Sequence, residues 1–186
     1  MKSLITLMAL ISSVFVVPLA AQIPLELTPE EQALLESAYL GKLDEVERLV
    51  SKGTAVDTTD PDHRTPLMFA AFNGHTAVVG FLEEKGAAVD NKDINGRTAL
   101  MYASSGPYEE TVELLLTKGA EVNIQGTLEG FTALMTAAAE GQVEIVRVLL
   151  DRGADRNLED KDGDTALSFA RQQGHTEVVV LLETER

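Results

Sequence analysis

The chain of 186 residues carries 15 Lys and Arg against 30 Asp and Glu, a formal charge of −15, with 45% apolar residues, 24% charged residues and no cysteine. One domain with a real core is the default at this length, and the composition is that of a folded chain rather than a disordered one. The acidic surplus excludes electrostatic binding to nucleic acid or anionic lipid as the main business; the missing cysteine excludes disulfides, thiol catalysis, cysteine-ligated zinc and a lipoprotein anchor.

The first segment reads as an address. Lys2 gives a short positive start, and Leu4 to Val17 form an apolar run interrupted only by Thr6, Ser12 and Ser13. Pro18 breaks the run, and Ala20 and Ala21 follow. That layout predicts a cleaved secretory signal peptide over 1–21. About 14 apolar residues are too few to span a bilayer comfortably, so no stable membrane insertion is expected after cleavage. Leu19 at position −3 departs from the usual small residue, and the competing reading is a buried N-terminal helix. Residues 1–21 hold one Lys and no acid, which leaves 14 basic against 30 acidic residues and a net charge of −16. The expected location is periplasmic or secreted, where a cysteine-free chain avoids a stray thiol.

A leader over 22–29 follows, ending in Thr28-Pro29-Glu30-Glu31, a capping box with Thr28 as N-cap and Glu31 at the third helical position. From there the chain repeats. Thr65, Thr98, Thr132 and Thr165 each open a T-[PA]-L stretch, at spacings of 33, 34 and 33 residues. Gly53, Gly86, Gly119 and Gly153 close the apolar runs, at spacings of 33, 33 and 34. The copies fall at about 30–59, 60–92, 93–125, 126–159 and 160–186, the first of them degenerate. In each, Thr is suited to cap a short helix, and Pro66 at its first position has no N–H to leave unsatisfied. Ala70, Ala103, Ala137 and Ala170 permit close helix approach, and Gly41, Gly74, Gly141 and Gly174 close that helix. The spacing in Val78-Val79-Leu82 and Ile145-Val146-Leu149 predicts a core stripe on a second helix. One such pair cannot cover its own apolar face, so the copies must stack.

These blocks resemble ankyrin repeats, which share the T-P-L-H-x-A opening and the period of roughly 33 residues. The resemblance covers about 30–186. It implies an all-α solenoid of about five helix-turn-helix repeats with short β-turn fingers. Four departures stand out. Met68, Met101, Met135 and Ser168 replace the usual His, losing a polar tie between neighbouring repeats and making a file of flexible core fillers. Ser105-Gly106-Pro107-Tyr108 reshapes the helix-closing turn of the third copy and is expected to let Tyr108 project. The turn Gln125-Gly126-Thr127-Leu128-Glu129-Gly130 is one residue longer than its equivalents. Val180 also sits where a terminal copy should be polar, which fits either a weak cap or a contact between copies.

Catalytic patterns are missing. There is no H-E-x-x-H, G-x-S-x-G, Walker or G-x-G-x-x-G motif. His63, His75 and His175 read as loop and capping residues. Asp160-Lys161-Asp162-Gly163-Asp164 has the spaced carboxylates of a calcium loop, but its Gly falls at position 4 and Arg171 stands at position 12. The expectation is a protein that is not an enzyme, with no cofactor and no metal.

What remains is a surface. The resemblance places the turn tips and first-helix flanks on one concave binding face, at Pro61, Asp62 and Arg64, then Ile94, Asn95 and Arg97, then Leu128, Glu129 and Phe131, and last Lys161, Asp162 and Asp164. Tyr39, Phe72 with Asn73, Ser105, Glu140, and Gln172 with Gln173 lie on the flanks. The expected protein-binding residues are Tyr39, Arg64, Phe72, Ile94, Arg97, Tyr108, Leu128 and Phe131, because aromatic, Arg and exposed apolar side chains dominate interface energetics. The expected partner is another exported protein with a neutral or basic surface, bound by a monomer. Three roles compete: an inhibitory or protective module covering a co-exported cell-wall hydrolase, an assembly or maturation factor for an exported enzyme such as a redox-stress enzyme, and a structural element self-associating through the last repeat.

Overall fold

Each copy folds into two short antiparallel helices because its caps are local. Thr65, Thr132 and Thr165 sit in extended backbone, and their hydroxyls accept the N–H of the third helical residue. Thr98 holds the same backbone conformation without that side-chain bond. Thr28 and Glu31 cap each other reciprocally, as their spacing predicts. At the far ends, Gly41, Gly74, Gly141 and Gly174 take positive φ.

The computed structural model describes residues 27–184. The signal peptide expected over 1–21 and the first part of the leader lie outside the described residues. The helices pair as α1 (Pro29–Tyr39) with α2 (Leu43–Ser51), α3 (Pro66–Phe72) with α4 (Thr76–Glu84), α5 (Ala99–Ala103) with α6 (Glu109–Thr117), α7 (Ala133–Ala139) with α8 (Val143–Asp151), and α9 (Ala166–Gln173) with α10 (Thr176–Thr184). Odd-numbered helices pack side by side in one layer and even-numbered helices in a second. Among the described residues there is no strand. This is the all-α solenoid of stacked helix pairs that the repeats predict.

The core runs unbroken between the two layers. Leu34, Leu67, Leu100 and Leu134 recur along the inner helices, and Leu49, Leu82, Leu115 and Leu149 along the outer ones. Each is essentially sealed from water, which stabilises the fold by roughly 2 kcal/mol per side chain. Met68, Met101 and Met135 are buried among them. In the second and fifth copies the residue in the place of His serves its own helix cap, the N–H of Thr65 pointing at Met68 Sδ at 3.4 Å and that of Thr165 at Ser168 Oγ at 3.2 Å. The ties between repeats are polar and periodic. Asp57 accepts the N–H of Ala88, Asp90 that of Glu121, and Asn123 that of Asp155.

The third copy departs as its sequence predicts. Helix α5 has five residues against seven in α3 and α7. The Ser104 and Ser105 hydroxyls donate to the carbonyls of Leu100 and Tyr102, which also accept the N–H groups of the same two serines, so the side chains close over the end of the helix. Tyr108, however, does not project. Its ring lies over Gly74 and Gly106, where a Cβ would collide with it. The expectation failed because Tyr108 stands at the position of His75 and His175, whose rings pack on Gly41 and Gly141 in the same way. It fills an inter-repeat slot.

Candidate functional site

Four short turns, the fingers, join the helix pairs. Three open on an aspartate. Asp60 accepts the N–H groups of Asp62 and Arg64, Asp93 those of Asn95 and Arg97, and Asp160 those of Asp162 and Asp164. Each such turn is closed by a backbone bond to the residue four further on, as from Asp93 N to Arg97 O at 3.0 Å. The remaining finger is closed from Gly126 N to Phe131 O, one residue longer, as the sequence predicts. Neighbouring fingers are stitched by backbone bonds, among them Ile94 N to Asp62 O and Thr127 N to Asn95 O.

Beside the fingers, the inner helices and the end of the Gly126 finger carry a line of rings. Tyr39 meets Phe69 edge to face with centroids 6.1 Å apart, Phe72 meets Tyr102 at 6.0 Å, and Phe131 meets Phe169 at 5.2 Å. Two arginines at finger ends lie over this line, Arg64 5.0 Å from the Phe69 centroid and Arg97 5.2 Å from that of Tyr102. Both are held from behind: Arg64 pairs with Asp60 and Asp62, and Arg97 Nε donates to Asp93 at 3.2 Å. The Asp93 side chain is only 1% exposed and also accepts from the Tyr102 hydroxyl at 2.7 Å. Burial first, and then that bond to a carboxylate, push the Tyr102 phenol up to about 12.

Between the rings lie two clefts. One of about 250 Å³ opens among Tyr39, Arg64, Phe72 and Tyr102, and one of about 260 Å³ among Phe72, Tyr102, Phe131 and Phe169. A smaller one of about 160 Å³ lies against Leu128 and Phe131. Seven of the eight expected residues therefore fall along the fingers and inner helices, where the clefts open. Tyr39, Phe72, Ile94 and Leu128 are exposed, Phe72 by 43% and Leu128 by 55%; Arg64 and Arg97 straddle the rings, and Phe131 is half-buried against Phe169. Tyr108 is the exception and belongs to the packing between repeats.

Sequence reasoning missed Phe69, Tyr102 and Phe169, together with the buried Asp93. The signal was present: all three rings stand directly after the Met or Ser of the T-[PA]-L-x motif, at the position of Thr136 in the fourth copy. The three histidines have structural work. His75 Nε2 lies 3.0 Å from the carbonyl of Tyr39 and His175 Nε2 3.0 Å from that of Ala139, while His63 takes the left-handed backbone position (φ 60°) that glycine fills in the other fingers. Among the described residues no group of three or more His, Asp or Glu is placed to hold a metal ion.

Among the described residues no helix is long and apolar enough to cross a membrane. No curated protein matches the chain closely enough to add to this. The family model for ankyrin repeats (3 copies) matches twice, over residues 34–126 and 110–185. Stacked helix pairs, finger turns at a 33-residue period and this match together place the chain in the ankyrin-repeat family, whose members are generally non-catalytic modules for protein–protein interaction.

Proposed function

We propose that the chain is an exported binding module that holds one protein partner in the groove beside its fingers and restrains a co-exported enzyme, such as a hydrolase acting on the cell wall. The reading is carried by one observation: Tyr39, Phe72, Ile94 and Leu128 are left exposed on the side of the molecule where Arg64 and Arg97 lie over aromatic rings. Solvation does not favour that set, and such side chains form the energetic centre of interfaces. The acidic charge steers a neutral or basic partner and fixes its register. The n-region, the apolar run and the small residues before Gln22 support export.

The test is affinity capture from the exported fraction with the chain from Gln22 onward, beside a Phe72→Glu/Leu128→Glu variant. Both changed side chains are exposed, so the fold should survive. A protein kept by the parent and lost by the variant supports the reading; the same proteins on both baits would sink it. Adding the purified chain to the captured enzyme then reads the sign of the effect. A fall in turnover fits restraint, and a rise fits the alternative of a maturation factor. Val180, 59% exposed on α10, favours one further reading, self-association through the last repeat. Light scattering decides it, since a monomeric parent indistinguishable from Val180→Lys removes the idea.

A further inference from the structure

The line of rings has a gap. Thr136 stands where the other copies place Phe69, Tyr102 and Phe169, and Ser105 and Ala139 stand where the second copy has Phe72. The small side chains leave the cleft of about 260 Å³, with Met101 and Met135 also lining it. That is below the roughly 300 Å³ at which small-molecule pockets begin and suits a single long side chain.

Its polarity is one-sided. Ser105 Oγ donates to the Tyr102 carbonyl at 2.8 Å, and Thr136 Oγ1 donates to the Thr132 carbonyl at 3.0 Å. Both hydroxyl protons are spent on the backbone, so the two oxygens can offer an occupant only lone pairs. Glu140 adds an exposed carboxylate that makes no ion pair among the described residues. Ring faces are electron-rich and attract cations. The one cation in the lining, Arg97, is already paired with buried Asp93. Acceptors, ring faces and a carboxylate together fit a cation with several N–H donors. A planar guanidinium can lie against a ring while its N–H groups reach outward, and it sheds water more easily than an ammonium.

We infer that this cleft receives an arginine side chain of the protein partner, an inference that rests on the groove being the binding face. The occupant stacks against the rings and pairs with Glu140, and the chain's charge of −15 brings a basic surface to it.

The test uses N-acetyl-arginine amide as the probe, against N-acetyl-lysine amide and N-acetyl-leucine amide, and reads the methyl NMR signals of Met101, Met135 and Thr136. The arginine probe should shift all three saturably and at lower concentration than the others. Glu140→Gln should weaken it about threefold. Thr136→Phe, which restores the ring of the neighbouring copies, and Ala139→Phe, which copies Phe72, should each abolish the methionine shifts while leaving the melting temperature near the parent value. No shift with the arginine probe, or an equal response to the leucine probe, overturns the inference. So does a Thr136→Phe chain that still retains the partner captured above while Phe72→Glu/Leu128→Glu loses it; that outcome leaves the groove reading standing. If both variants retain the partner, both readings fall.

Discussion

Two neighbouring fingers do the same job by opposite means. The finger opening on Asp93 is organised by one buried carboxylate, which accepts from Asn95 N, Arg97 N, Arg97 Nε and the Tyr102 hydroxyl. The next opens on Gly126, which has no side chain to offer. There Gln125 Nε2 instead donates to the carbonyls of Gly130 and Glu159, at 2.9 and 2.8 Å. The finger at Asp160 separates turn formation from surface choice. It keeps the aspartate and both backbone bonds but ends in Asp164 rather than Arg. The turn therefore does not need the arginine. Arg64 and Arg97 are surface features added to a finger that folds without them, and the glycine finger uses the same place for the apolar wedge of Phe131 against Phe169.

The largest expected effect comes from removing the shared carboxylate. Asp93→Ala leaves two backbone N–H groups, a guanidinium and a half-buried phenol without their acceptor, and should cost about 3 kcal/mol in urea unfolding. Asp160→Ala loses only the two backbone bonds and should cost about 1 kcal/mol. Equal costs would mean that the contacts to Arg97 and Tyr102 add nothing and would erase the contrast between the two aspartate fingers. Gln125→Ala should come between these, at about 1 to 1.5 kcal/mol, because it frees two carbonyls, both in the next copy. If Gln125→Ala costs nothing, the longer turn is held by its backbone bonds alone.

Much of this was legible in the sequence, and the boundary is instructive. Caps and helix ends were readable because they depend on residues within four positions of each other, as at Thr28 with Glu31 or at Gly74. The extra residue of the Gly126 finger was readable as a change of period. Residues that act across copies were not. Phe69, Tyr102 and Phe169 look like core within their own helices, and become a line only when the helices lie side by side. Tyr108 looked free because its partner, Gly74, belongs to the previous copy. Nothing within its own turn marks Asp93 as buried, and it is buried because Tyr102 and Arg97 close over it.

The smallest effect distinguishes the two fingers by pH. The Tyr102 phenol is raised from 10.0 to about 12, by burial first and by its bond to Asp93 second, with Arg97 and Arg64 working against the rise. A group whose folded pKa lies above its unfolded value binds its proton more tightly in the folded state. Its contribution to stability is whole below about pH 10 and drains away as pH rises through about 12. The side chain is only half-buried, so solvent screens the contribution and the loss of stability should be small. Phenolate absorbance on the folded chain should show a late step that Tyr102→Phe removes. Asp93→Asn should bring that step earlier without returning it to 10, because burial is untouched. The methyl signals of Leu128 beside the glycine finger should stay still across the same range. Movement there in step with Tyr102 would mean that the two fingers respond as one unit, and that the independence of turn and surface argued from Asp160 does not extend between neighbours.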